Sequence, residues 1–310
     1  MPAPVKLKDL VTAMSQRFES YGSPYMHGIA TGLPSLDTAT KGWRRGCLTV
    51  ILGSSQGLRS DLLSQFCLTA LGAFERQGTG VPVLLFPFGD SAFKVMESTL
   101  CRILGIDGLD MFDADRSDPD DAVLRAERDE GYGMQLRESV TRPFFIEDSH
   151  MLDLHALERR CREVAARLAE EPSGASLGLI AIGSVSAIAS GMSRRKAMLR
   201  LRALARELDV AMVLATSVLP EPGLADVLLE IESEKRPRED PYVLFDARHK
   251  PMERPWYASP EDSDPTPHEE QAPRSHGVTL HLTRNVFGPT AEVRGEFDLG
   301  SRRFKETPSD

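Results

Sequence analysis

The chain has 310 residues, with 37 Lys+Arg against 46 Asp+Glu, a formal charge of −9, 41% apolar content and only 6% aromatics. That apolar fraction builds a sizeable core and excludes wholesale disorder, while the acidic balance argues against a free-standing, strongly basic nucleic-acid binder. No apolar run approaches the ~20 residues of a membrane span, residues 1–8 lack an apolar signal core, and Cys47, Cys67, Cys101 and Cys161 lie far apart with no CxxC pair, as buried thiols of a cytosolic protein do.

Taken in chain order, Val5, Leu7, Leu10, Val11, Met14 and Phe18 recur at helical spacing, so residues 5–21 are expected as a helix that Gly22, Ser23 and Pro24 stop. Residues 47–52 (CLTVIL) read as a strand ending in Gly53, and residues 61–73 as a helix. A strand is expected over 81–88, a helix over 91–104, a short strand over 143–146 and a helix over 155–169. A strand over 177–182, a helix over 196–208 and a strand over 211–216 follow. Continuous apolar strands separated by helices imply a buried, mostly parallel sheet built from βαβ units. Residues 278–282 and 291–299 alternate apolar and polar across Asn285–Thr290, the pattern of a β-hairpin. Two stretches interrupt the rhythm. Residues 105–121 hold seven aspartates and read as a solvated acidic connection, and residues 235–276 hold eight prolines among many charges and read as a flexible insertion.

The most informative residues are Gly53, Ser54, Ser55, Gln56, Gly57, Leu58, Arg59 and Ser60, between a strand and a helix. That is the context of a phosphate loop, GxxxxGK[ST], whose amides and helix N-terminus cradle phosphates while its Lys reaches the β/γ-phosphates and its hydroxyl ligates magnesium. With Gly53 first, the second glycine falls on Leu58, the Lys on Arg59 and the hydroxyl on Ser60; Gly57 lies one place early. Leu58 sets an isobutyl group where backbone should approach phosphate, and Arg59 replaces a compact ammonium with a broad fork. Arg194, Arg195, Lys196, Arg200, Arg202 and Arg206 cluster on one helix, a candidate contact for DNA or an acidic partner weighed against a plain solvated face. The seven histidines show no metal spacing.

In order and spacing, residues 5–304 resemble the C-terminal RecA-like ATPase domain of DnaB-type replicative helicases (superfamily 4). The resemblance is carried by the 28–37 and 42–51 segments around the degenerate loop, by 80–87 and 143–148, by 177–182 at the Walker B strand, by 204–214, and by the 285–290 turn. It implies a RecA-like P-loop α/β fold, with residues 1–25 as a linker helix, 26–304 as the RecA-like domain, and 305–310 as a tail. It also assigns catalytic positions, and these are vacant of chemistry. The catalytic Glu falls on Gly89, the Walker B Asp on Gly183, the sensor Gln on Ser217 and the arginine finger on Val286; the hairpin Lys is Arg284. The two loops expected to hold single-stranded DNA, 189–196 and 218–223, are short, and the second has two prolines, one glutamate and no cation.

A missing arginine finger alone costs ~10³–10⁵ in rate. The resemblance therefore implies a cytoplasmic, nucleoid-compatible pseudo-ATPase acting as a structural or regulatory partner in DNA replication, recombination or repair. It requires no cofactor and binds ATP/Mg weakly or not at all, with no metal site other than Ser60 where magnesium is bound. It would self-associate, or dock onto a related RecA-type ATPase, through the N-terminal helix, contacting DNA weakly and no membrane. Two alternatives stay open: a divergent but active ATP-dependent helicase, in which Asp90 or Asp148 substitutes for the lost carboxylates, and a RecA-fold interaction module outside DNA metabolism.

Overall fold

The computed structural model describes residues 28–72, 80–88, 90–105, 143–149, 152–172, 175–188, 191–233 and 275–307. The expected 5–21 helix, the acidic stretch beyond Gly105, nearly all of the Pro-rich insertion, and Gly89 lie outside the described residues.

After a short helix α1 (Pro34–Thr40), strands and helices alternate: β1 (Leu48–Leu52), α2 (Gln56–Ala70), β2 (Val83–Phe86), α3 (Ala92–Leu104), β3 (Phe144–Ile146), α4 (Leu154–Glu170), β4 (Leu179–Ile182), α5 (Val185–Ile188), α6 (Arg194–Glu207) and β5 (Ala211–Thr216). The chain closes with β6 (Val227–Ser233), β7 (Ser275–Asn285), β8 (Ala291–Asp298) and β9 (Arg303–Glu306). The strands form one nine-stranded sheet in the order β3-β2-β4-β5-β1-β6-β7-β8-β9. Pairings from β3 to β6 are parallel, and those from β6 to β9 are antiparallel.

The parallel strands are apolar throughout because both of their faces are covered. Leu48, Val50, Leu84, Phe86, Ile180 and Ile182 pack with α4, α5 and α6, while Ile51, Val83, Leu85, Leu179 and Ala181 pack with α1, α2 and α3. In the hairpin only one side is buried, by Val278, Leu280, Leu282, Val293 and Phe297, which explains its clean alternation. Serine or aspartate N-caps start α2, α3, α4 and α6: Ser55, Ser91, Asp153 and Ser193 each accept a hydrogen bond from a first-turn amide.

Two expectations need correction. Helix α2 starts at Gln56, five residues before the expected Asp61, because Ser55 caps it and Leu58 extends its buried stripe of Leu62 and Phe66. The tail does not begin at 305, since β9 runs to Glu306 and pairs with β8 through Gly295↔Glu306. Among the described residues no helix is long and apolar enough to cross a membrane.

Candidate functional site

Parallel strands place their following loops at one edge. Gly53 after β1, Pro87 and Phe88 after β2, Gly183 after β4 and Ser217 after β5 therefore lie along the same end of the sheet, where ligands of open α/β sheets bind. Leu52 pairs with Thr216 and Phe86 with Ile182, so Gly53 neighbours Ser217 and Pro87 neighbours Gly183.

The β1–α2 turn is closed by its own side chains. Ser55 Oγ accepts from Leu58 N–H at 3.3 Å, and the Arg59 amide donates to Ser55 O at 3.3 Å. Leu58 is 4% exposed and belongs to the core. That is why a leucine stands where a phosphate loop needs glycine: the residue is already inside the first turn of a helix and anchors it. Gly57 has open space around the place a Cβ would occupy, so it makes no close approach in this conformation.

The Arg59 side chain folds back over the turn and donates from Nη1 to the carbonyl oxygen of Gly53. It is 8% exposed, its Nε finds no partner, and burial pulls its guanidinium below the ordinary arginine range. A Cβ added at Gly53 would stand 3.2 Å from Ile231 Cβ and 3.5 Å from Arg59 Cγ, so the stem of Arg59 and a β6 side chain close over the start of the loop. A hydrogen bond from a charged donor contributes about 1.5–3 kcal/mol, enough to hold this arrangement against solvent.

Ser60 lines a cleft of about 10 Å³ together with Ser64, Pro87, Asp90 and Gly183, room for roughly a single water. Position 183, where the resemblance expects the Walker B Asp, is closed at the level of backbone. A Cβ on Gly183 would lie 2.2 Å from the carbonyl oxygen of Pro87, and the Gly183 amide donates to Phe86 O at 2.8 Å. The chain can come this close because residue 183 has no side chain. Beside it Phe88 takes φ +40°, is buried, and stacks on Phe86 at 5.9 Å between ring centroids.

The carboxylates nearest this edge serve structural ends. Asp90 pairs with Lys94 Nζ at 2.7 Å, and Asp148 accepts from the Ala92 amide at 2.6 Å at the start of α3. Glu147 accepts from Ser149 Oγ and Arg160 Nε; although burial opposes it, these partners hold its carboxyl below the usual range. Of the three, Asp90 alone lines the cleft with Ser60.

Arg284 and Val286 are not brought to the turn. Strand β7 runs antiparallel to β6, so Arg284 stands opposite Leu228, and the Val286 amide donates to Asp226 O at 3.2 Å just before β6 begins. Both residues are thus toward the sheet end opposite Gly53, and both are exposed. Half of the six cations clustered on α6 are ion-paired. Arg195 pairs with Glu221, Arg202 with Asp226, and Arg200 with Glu158 at 2.6 Å, whereas the exposed Arg194 and Lys196 have no carboxylate partner among the described residues. Among the described residues no group of three His, Cys, Asp or Glu side chains could hold a metal ion.

Sequence reasoning missed the Pro87 carbonyl and the Ile231 cover over Gly53. A backbone oxygen leaves no signal in residue types, and Ile231 reaches the site through strand order. The place of Leu58 inside the helix was missed as well, although Leu58, Leu62 and Phe66 keep the four-residue spacing of one helix face and could have shown it.

Comparison with known proteins gives a consistent answer. The family model of the DnaB-like helicase C-terminal domain matches residues 28–221. A search of curated proteins finds no match. Among solved structures, an ATPase domain aligns with a TM-score of 0.68 at 14% identity, covering 99% of this chain and 100% of that one. A DnaB-like replicative helicase, reported with its interactions with primase, aligns with a TM-score of 0.63 at 14% identity, covering 97% of this chain and 67% of that one. With a family match over more than half of its length, the chain belongs to the DnaB-like helicase C-terminal domain family.

Proposed function

We propose that this protein is a pseudo-ATPase of the helicase family, a structural or regulatory partner in DNA replication, recombination or repair that does not turn over ATP. The observation that carries the reading is the contact at Gly183: the place of the magnesium-side carboxylate is filled by the Pro87 carbonyl, so no side chain of any kind fits there without moving backbone. Phosphoryl transfer depends on positioned charge, and the edge where that charge is needed offers a cleft of about 10 Å³ with Asp90 already paired to Lys94. Nucleotide, where bound at all, is held weakly and without a required cofactor, and DNA contact is weak because half of the α6 cations are spent on carboxylates. A cytoplasmic setting, with access to the nucleoid, suits these roles.

Self-association, or docking onto a related RecA-type ATPase, is the expected use of the retained fold. Arg284 and Val286, which lie away from the chain's own β1–α2 turn, would meet such a site only on a second subunit. The deciding measurement is magnesium-dependent ATP turnover by purified protein with and without single-stranded DNA. No turnover above background is expected; turnover abolished by Asp90→Asn would instead favour the divergent active enzyme, since Asp90 shares the cleft with Ser60.

A further inference from the structure

We propose that the face where α6 meets the connection after β5 is a docking site for a short acidic, leucine- or phenylalanine-bearing peptide of a partner protein. The inference goes beyond the pseudo-ATPase reading and does not depend on whether ATP is turned over.

Two contacts clamp the connection against α6. Arg195 pairs with Glu221, and Arg202 donates from Nη1 to Gly223 O at 3.1 Å while its Nη2 pairs with Asp226. Leu199 stands between Arg195 and Arg202 at helical spacing, so it shares their side of α6. Unlike Met198 and Leu201, it does not turn into the core: it is 46% exposed. Val218 and Leu219 of the connection are exposed as well, Leu219 at 63%. Leu219 lies two residues before Glu221, at most about 7 Å of chain from the contact with α6. Apolar side chains from two separate segments are thus held in water around one clamp, the kind of surface that marks an interaction site. The clamp is also pre-formed. The Val218 amide donates to Thr216 Oγ1 at 3.1 Å, and Pro220 and Pro222 stiffen the chain, so little ordering is left for a ligand to impose.

Charge defines the occupant. Lys196 sits one turn before Leu199, and it and Arg194 are exposed without a carboxylate partner among the described residues. From position 194 to 199 the helix rises about 7.5 Å, the length of roughly two residues of extended peptide. A ligand that uses both features therefore carries carboxylates within a residue or two of leucine or phenylalanine. Nucleic acid uses only one of them, since Val218 and Leu219 offer nothing to phosphate and Glu221 repels it. A second folded copy needs more surface, because a standard interface engages roughly 20–30 residues a side. A short peptide matches the size.

Fluorescence anisotropy of a labelled peptide, Glu-Asp-Leu-Asp-Asp-Leu-Phe-Glu, tests this against the full chain as wild type, Leu219→Ser and Lys196→Glu. A second probe carries serine in place of the leucines and phenylalanine. Both altered side chains are exposed, and a thermal melt on each sample establishes that it is folded. Saturable binding to wild type is expected, weakened about tenfold or more in each variant and for the serine probe. The proposal is overturned by the absence of saturable binding to wild type. It is equally overturned if Leu219→Ser or the serine probe binds as tightly as the parent pair, because the attraction is then plain charge. Two outcomes would assign the face to another occupant and sink the peptide. One is a single-stranded oligonucleotide that displaces the peptide and binds more tightly than it does. The other is a wild-type dimer, seen by sedimentation, that Leu219→Ser dissociates. ATP turnover on the same samples reports on the pseudo-ATPase reading alone.

Discussion

The two margins of the sheet use polar groups in opposite ways. Along the flank where α1, α2 and the antiparallel strands meet, buried polar groups tie separate elements together. Gln65 Nε2 donates to Phe304 O and its Oε1 accepts from Phe304 N–H, both at 2.8 Å; Asp37 accepts from the Thr31 amide; Arg102, fully buried, holds Asp61 and the Arg302 carbonyl. At the edge bearing Gly53, Pro87 and Gly183, the polar groups satisfy one another locally: Arg59 on its own loop, Asp90 on Lys94, Ser55 on Leu58 N–H. A working phosphoryl-transfer site keeps donors and charges unspent until substrate arrives, at some cost in stability. The polar groups of this edge are spent on near neighbours, while those of the flank hold separate elements together.

The largest effect that could break this contrast is Gly183→Asp, which puts a carboxylate where the resemblance expects one. A Cβ 2.2 Å from the Pro87 oxygen forces backbone to move, so the expected outcome is a loss of about 3 kcal/mol or more in urea unfolding and no gain of ATP turnover. A variant as stable as wild type that hydrolyses ATP would show the edge to be merely unfilled. Next comes Arg102→Met on the intact flank. It removes the buried guanidinium that joins Asp61 to the Arg302 carbonyl while Arg302 Nη1 stays 3.9 Å from Asp61, and a loss of about 2 kcal/mol is expected, with retained solubility reporting that the sheet still forms. If the two variants cost the same small amount, the distinction between edge and flank has no energetic content.

The thiols test the flank from another side. Cys47, on the segment leading into β1, has its thiol pushed up to about 11 from an ordinary 9.0, first by burial and then by the negative charge of Asp226. At pH 8 the folded thiolate fraction is therefore about a hundredfold below that of the unfolded chain, and iodoacetamide should label Cys47 slower in that proportion. The sign for stability follows: the unfolded thiol ionises from about pH 9 and the folded one only near 11, so the unfolded state releases its proton first and stability falls across that window. Labelling at the rate of an unfolded thiol would mean the β1 approach is open to water.

Most of the scaffold was readable in the sequence because its signals are local. The β1, β2, β4 and β5 runs are apolar on both faces, and the hairpin alternates on one. Glycine at positions 89 and 183 was readable too, as a residue type at the spacing where the resemblance expects a carboxylate. What escaped is set by strand order and backbone. Strand β9 is four residues long, with Phe304 alone carrying the burial. The closure of Gly183 depends on a carbonyl from the end of β2, and it takes the antiparallel register of β7 to set Arg284 at the end of the sheet away from Gly53. Position in sequence names a side chain's chemistry; sheet order decides what it can reach.

The smallest expected effect probes the α6 cations. Arg195 and Glu221 are each 57% exposed, and their ion pair fastens the 217–223 loop to the start of α6. Surface pairs of this kind contribute ~0–1 kcal/mol, so Glu221→Ala should leave the melting curve almost unchanged. It does release Arg195 next to the exposed Arg194 and Lys196. If neutralisation by carboxylates is what keeps this face from holding DNA, the variant should bind single-stranded oligonucleotide slightly more tightly than wild type, with a salt slope steeper by at most about one released counterion. An unchanged slope would mean that Arg195 already contacts phosphate in the wild type despite its partner. A slope steeper by several counterions would mean that Glu221 restrains the whole cluster, and the edge would then be a guarded DNA surface where the ion pairing argues for a closed one.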